Sequence, residues 1–220
     1  MSEHSQSLEG SPQATASTGE ETITVPVSLL DKIVQFFTIK LARSLARFTW
    51  ITPNRVTWLS AGIGGPLTGW LIIQEQFWLA TALVVVSGLM DGLDGDIARE
   101  RNLTSIEGGI LDSVLDRYVD FFLIAALILV NPQDHLWVGL IALLGTTMVP
   151  YIRARSEVAG KSSIASIGSR ATRIVMIILG LLTQQLLILL VALAIISNIA
   201  AAHRFWYALI PSANQPTSSS

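Results

Sequence analysis

The chain has 220 residues, 51% hydrophobic and 14% charged, with a formal net charge of −2. A mean hydropathy of +0.56 is too apolar for an ordinary water-soluble domain and points to a membrane protein with several spans. With no cysteine, disulfides, zinc–thiolate centres and cysteine nucleophiles are excluded, and His4, His135 and His203 are too scattered to form a metal-binding pair.

Residues 1–24 are mostly Ser, Glu, Gln, Thr and Gly and are expected to form a disordered tail. They lack the basic start and apolar core of a signal peptide. The C-terminal stretch 211–220, PSANQPTSSS, reads as a second disordered tail, which leaves 25–210 as a membrane domain. Over 27–49, Leu29, Val34, Phe37 and Leu41 continue an apolar face, while Lys32, Lys40, Arg43 and Arg47 carry charge. This predicts an amphipathic helix lying on the membrane surface, with a soluble partner-binding helix as the competing reading.

Thr52-Pro53-Asn54 breaks that helix and starts the next. Six apolar spans are predicted, over 56–73, 77–98, 108–130, 135–155, 170–183 and 185–207, the last two joined by Thr183-Gln184-Gln185. His135 is expected in the short loop 131–135, and His203 near the end of the last span. The loops 74–76, 131–135 and 183–185 contain no Lys or Arg, whereas the opposite ends carry Arg55, Arg99, Arg101, Arg117, Arg153, Arg155, Lys161, Arg170, Arg173 and Arg204. By the positive-inside rule, both termini and those ends face the cytoplasm, across the cell membrane.

Four aspartates interrupt the most apolar part of the chain. Asp91 and Asp94 are spaced i,i+3, and Asp112 and Asp116 are spaced i,i+4, so each pair shares one helix face. A carboxylate at the centre of a bilayer costs on the order of 3 kcal/mol even on the mildest scales, so these groups need compensation. Two acidic faces that meet form a set of hard oxygen ligands suited to Mg²⁺ or Mn²⁺. Gly95 and Ala98, one turn apart, let a flat or anionic group come close to the backbone. Arg99 can pair with a phosphate or anchor the helix end, and Gly108 lets the third span pack on the second. Asp96 and Asp120, outside this spacing, are expected to pair with nearby arginines.

Written out, the pattern is Asp91-x-x-Asp94-Gly95-x-x-Ala98-Arg99, eight residues, then Gly108-x-x-x-Asp112-x-x-x-Asp116. It resembles the signature of the CDP-alcohol phosphatidyltransferase family at every defined position. The resemblance implies an all-α integral membrane fold with six transmembrane helices behind a cytoplasmic amphipathic helix, and a homodimer. It also implies a two-metal site on Asp91, Asp94, Asp112 and Asp116, with Asp116 as proton acceptor. The implied reaction is phosphatidyl transfer from a CDP-linked lipid to an alcohol, releasing CMP. Pro53-Asn54-Arg55-Val56-Thr57 is similar to the family's Pro-x-x-x-Thr start of the first span, which helps hold the CDP part. Ser105 matches a nucleotide-contacting hydroxyl position in the inositol-phosphate branch, and a simple helix cap reads Ser105 and Asn54 equally well.

Arg153 in YIRARSE, Arg170 and Arg173 in SRATR, and Arg204 in AAHRFWY bring guanidinium groups from three predicted spans to the cytoplasmic level. Part of this is the ordinary positive-inside bias, but Arg173 and Arg204 stand beside apolar runs, where an idle charge is costly. A phosphorylated acceptor would account for them. The two stretches also resemble the phosphatidylinositol-phosphate synthase branch, although two acids and a proline of that branch are missing at 169–172. The expected donor is CDP-diacylglycerol and the expected acceptor a phosphorylated polyol, 1D-myo-inositol 3-phosphate (inositol 1-phosphate). Glycerol 3-phosphate as acceptor and an archaeol-based donor stay open. Beyond these substrates and membrane lipids, no nucleic acid is expected as a partner. A cation transporter is a different class of reading, opposed by the arginines crowding the same membrane face. A non-catalytic scaffold gives no reason for four acids at this spacing.

Overall fold

Pro53 opens the first described helix in the way its fixed φ and missing N–H allow, behind an extended Thr52 (φ −95°, ψ 148°). The structure is a computed structural model that describes residues 52–161 and 170–210. The expected surface helix over 27–49 and both predicted tails lie outside the described residues.

All regular elements among the described residues are helical. We number them α1 (Pro53–Ile73), α2 (Phe77–Glu100), α3 (Ile106–Val130), α4 (Pro132–Val158), α5 (Arg170–Thr183) and α6 (Leu186–Leu209). Within α1, Ile63–Leu67 widens into a π-helical turn at Pro66, where the regular ladder loses a donor. The Thr68 hydroxyl donates to the Ile63 carbonyl at 2.6 Å. Tight reversals join α1 to α2 and α5 to α6, each turning on one residue with positive φ, Glu75 at 56° and Gln184 at 58°.

Four helices, α1, α2, α4 and α6, are long and apolar enough to cross a membrane, which makes this a membrane protein. Six spans were expected. The other two helices differ for separate reasons: α3 carries Asp112, Asp116, Arg117 and Asp120, and α5 has 14 described residues. The loop expected at 131–135 is shorter than predicted, because Pro132 starts α4 at once and Asn131 alone links it to α3. His135 is consequently a buried helical residue, and its Nδ1 lies 2.8 Å from the Leu127 carbonyl.

Lipid offers little hydrophobic drive between helices, so close packing through small residues matters more than apolar area. A Cβ placed on Gly64 would meet Ser87 Oγ at 2.6 Å, and one on Gly69 would meet the Phe122 carbonyl at 3.2 Å, so α1 lies tight on α2 and α3. Helices α4 and α6 meet most extensively. There the Asn198 amide donates to the Ile141 carbonyl at 2.9 Å, and Gly145 leaves it room. Leu127, Leu181, Leu190 and Leu193 form the centre of the core. At the other end of that helix pair, Lys161 donates to the Ala208 and Ile210 carbonyls, tying the end of α4 to the end of α6.

The outward surface is apolar, with Leu79, Ile188 and Ile199 each more than half exposed. In water such a surface would associate; in lipid it is the expected face. Trp58 and Trp206 stand near one set of helix ends, and Trp70, Trp78 and Trp137 near the other, all more than half exposed. That distribution matches the two aromatic belts of a membrane protein. The basic side chains of the described residues gather at the same helix ends as Asp91, Asp94, Asp112 and Asp116.

Candidate active site

The second half of α2 and the first half of α3 carry the acidic residues, and helical spacing turns each pair inward. Asp91, Asp112 and Asp116 each offer a carboxylate oxygen within 4.8 Å of the others, and all three residues are half-buried. Asp112 Oδ1 is buried without a hydrogen-bond partner. An orphaned carboxylate oxygen is costly unless a cation answers it. This all-oxygen donor set therefore fits a hard divalent ion.

Asp94 stands slightly apart. It is buried and accepts a 2.6 Å hydrogen bond from Thr57 Oγ1 on α1. It lines a cleft of about 200 Å³ together with Asn54, Thr57, Gly95, Ala98, Arg99, Ser105, Gly108 and Asp112. Ser105 closes the cleft as the N-cap of α3, accepting from the Gly108 amide at 3.0 Å. A Cβ on Gly108 would sit 3.2 Å from Ser105 Oγ and 3.6 Å from Asn54 Oδ1, so glycine keeps this wall open. Arg99 folds back over Gly95 and pairs with Asp96 at 2.6 Å. Two residues of the sequence-predicted set fall outside the lining: Arg55 is exposed, and Val56 packs on Leu93 and Ile97 between α1 and α2.

A second cavity, of about 430 Å³, opens on the other side of Asp112. It is lined by Asp116 and by all four predicted arginines, Arg153, Arg170, Arg173 and Arg204, so α3, α4, α5 and α6 all contribute. The arginines are not idle. Arg153 pairs with Glu157 at 2.7 Å, and the buried Arg173 pairs with Asp120 at 2.8 Å. The burial of Arg173 thus has an internal counter-charge and needs no bound anion to explain it. Arg170 bridges the acidic set, pairing with Asp91 and, at 2.7 Å, with Asp116.

Arg117 and Glu157 also line this cavity, and neither was singled out from the sequence. Arg117 lies between Asp116 and Asp120, 3.6 Å and 3.7 Å away. Its i,i+3 spacing to Asp120 and the i,i+4 spacing of Arg153 and Glu157 were the available signals.

The model of the family described as CDP-alcohol phosphatidyltransferase matches residues 50–208, which contain both cavities. The chain belongs to this family. It is 33% identical over 160 residues to an archaetidylinositol phosphate synthase from Pyrococcus horikoshii, covering 72% of this chain and 84% of that one. It is 38% identical over 107 residues to a bifunctional IPC transferase and DIPP synthase from Thermococcus kodakarensis, covering 48% of this chain and 24% of the relative. The chain thus spans only about a quarter of that relative's length. A crystal structure of the Mycobacterium tuberculosis phosphatidylinositol phosphate synthase PgsA1 with CDP-DAG bound shares the fold, with a TM-score of 0.74. It is 24% identical and covers 84% of this chain and 100% of the other.

Proposed function

We propose that this family member transfers a phosphatidyl group from CDP-diacylglycerol to the hydroxyl of inositol 1-phosphate, giving phosphatidylinositol phosphate and CMP. The observation that carries this reading is the shared wall. Asp112 belongs at once to a cleft with small and hydroxyl residues and to a cavity with five arginines. A reaction joining a nucleotide-linked phosphate to a phosphorylated acceptor needs two such compartments meeting at carboxylates. Membership of the family supports the donor class, and the likeness to the archaetidylinositol phosphate synthase from Pyrococcus supports the inositol phosphate acceptor.

Asp91, Asp112 and Asp116 would hold a divalent ion, with Asp94 completing a second position beside Thr57. When bound, two Mg²⁺ or Mn²⁺ ions supply neutralisation of the diphosphate and of charge developing in the transition state. Asn54, Thr57, Gly95, Arg99 and Ser105 hold the CDP portion, with Arg55 and Val56 acting only through the helix start. Arg153, Arg170, Arg173 and Arg204 bind the acceptor's phosphate as guanidinium forks. The Asp116 carboxylate takes the proton of the acceptor hydroxyl. The acceptor oxygen then bonds to the lipid-side phosphorus, and the bond from that phosphorus to the CMP oxygen breaks. The basic half of the molecule faces the cytoplasm across the cell membrane, where six helices span and surrounding lipids feed the donor sideways. Two copies assemble as a homodimer.

The deciding experiment offers purified protein CDP-diacylglycerol or CDP-archaeol with Mg²⁺. Labelled inositol 1-phosphate, glycerol 3-phosphate and free inositol are supplied in turn, and CMP release is followed. Turnover with inositol 1-phosphate is expected. No turnover with any acceptor removes the enzyme reading, and turnover with free inositol alone removes the arginine cavity from it.

A further inference from the structure

Arg170 belongs both to the carboxylate cluster and to the basic cavity. Its guanidinium bridges Asp91, from Nη1 to Oδ2, and Asp116, from Nη2 to Oδ1 at 2.7 Å. The same side chain lines the basic cavity beside Arg153, Arg173 and Arg204. Two of the three clustered carboxylates are therefore engaged by a guanidinium, while Asp112 Oδ1 stays without a hydrogen-bond partner. A divalent ion seeks the same carboxylates, and two cations at contact distance repel strongly in a partly desolvated site. Arg170 cannot keep both bridges while those carboxylates ligate an ion.

The neighbouring cations differ. Arg153 is held by Glu157 at 2.7 Å, and Arg173 by Asp120 at 2.8 Å. Arg117 approaches Asp116 only to 3.6 Å. Arg170 is thus a cavity arginine whose position depends on the state of the Asp91–Asp116 pair.

Resting on the function proposed above, we infer that Arg170 is a positioning residue shared between the metal ligands and the acceptor cavity, so that divalent metal and acceptor phosphate bind cooperatively. Arg170 balances Asp91 and Asp116 until a divalent ion takes them, then turns its guanidinium to the phosphate. A phosphate already in the cavity draws Arg170 away and opens the carboxylates to metal. Linkage makes the two effects equal in size, and couplings of this kind amount to roughly 5- to 150-fold.

The test uses the full chain in detergent, stripped with chelator. Mn²⁺ binding is titrated by the electron paramagnetic resonance of free Mn²⁺, with and without inositol 1-phosphate, and with inorganic phosphate as a second probe. In the wild type, inositol 1-phosphate should tighten Mn²⁺ binding by about tenfold. In Arg170→Ala and Arg170→Gln, Mn²⁺ alone should bind more tightly than to wild type, and the coupling factor should fall close to one. Arg153→Ala should weaken phosphate binding and keep the factor. The inference is overturned if the Arg170 variants keep the wild-type factor, if they bind Mn²⁺ more weakly without phosphate, or if Arg153→Ala loses the coupling as well. Wild-type protein that binds both ligands independently overturns this inference alone. Wild-type protein that binds no phosphate overturns the acceptor reading together with it.

Discussion

Thr57 on α1 donates to Asp94 on α2 at 2.6 Å, a buried hydrogen bond between residues 37 apart in sequence. It joins the start of the first helix to the acidic face, and both residues line the smaller cleft. A hydrogen bond to a charged group contributes about 1.5–3 kcal/mol. Thr57→Val keeps the shape and removes the donor. Its kcat/KM for CDP-diacylglycerol should fall roughly 10- to 100-fold, while Thr57→Ser stays near wild type. Steady-state CMP release against donor concentration reads the difference; an unchanged value for the valine variant would detach Asp94 from donor handling.

The orphaned Asp112 Oδ1 leads to a prediction with a readout independent of turnover. An ion that binds only the folded protein stabilises it by mass action, by about 2.7 kcal/mol at one hundred times its dissociation constant. Chelator-stripped protein should therefore melt at a higher temperature when Mn²⁺ or Mg²⁺ is returned, and CMP release should return with it. Asp112→Asn should lose most of that melting shift. A full shift in the variant would take Asp112 out of the ligand set.

Asp116 lines the basic cavity and touches the acidic cluster, which suits a group that must meet the acceptor hydroxyl. General-base catalysis contributes typically 10²- to 10⁴-fold. Asp116→Asn should lower kcat by at least about 10²-fold while CDP-diacylglycerol still binds. Equilibrium binding of labelled donor, measured beside single-turnover transfer, separates the two effects. Wild-type transfer by the variant would end the proton-acceptor role.

Much of this site could be read in one dimension, because its first requirement is periodic. Spacings of three and four residues put Asp91 with Asp94 and Asp112 with Asp116 on shared helix faces. The ion pair of Asp96 with Arg99 was also local, at i,i+3, and was anticipated. What stayed hidden depends on contacts distant in sequence. No local signal tells Asp94 to turn to Thr57 while the other three carboxylates meet. None tells Arg170, 79 residues beyond Asp91, to bridge it. The position of His135 was misread for a different reason: a proline at a helix start resembles a proline in a loop until the following turn is seen. Arg117 was passed over because its value comes from Asp120 and the cavity rather than from a motif.

The buried pair of Arg173 and Asp120 separates structure from function. Arg173 is 3% exposed, and its Nη2 lies 2.8 Å from Asp120 Oδ2. Breaking a buried pair strands a charge and costs about 3–5 kcal/mol, whereas replacing both partners with apolar groups of similar volume is often neutral or better. Arg173→Met and Asp120→Leu should each lower the melting temperature by roughly 6 °C or more. The double variant should recover part of that loss, because Arg117 also gives up Asp120 and keeps only Asp116 of the two. The variant still lacks a guanidinium that lines the basic cavity. If Arg173 binds the acceptor's phosphate, the recovered double variant keeps a raised KM for inositol 1-phosphate with an unchanged KM for CDP-diacylglycerol. If Arg173 serves only to neutralise Asp120, the double variant regains wild-type kinetics with its stability. A stable double variant with normal acceptor KM would therefore remove Arg173 from the phosphate site and leave Arg153, Arg170 and Arg204 to hold it.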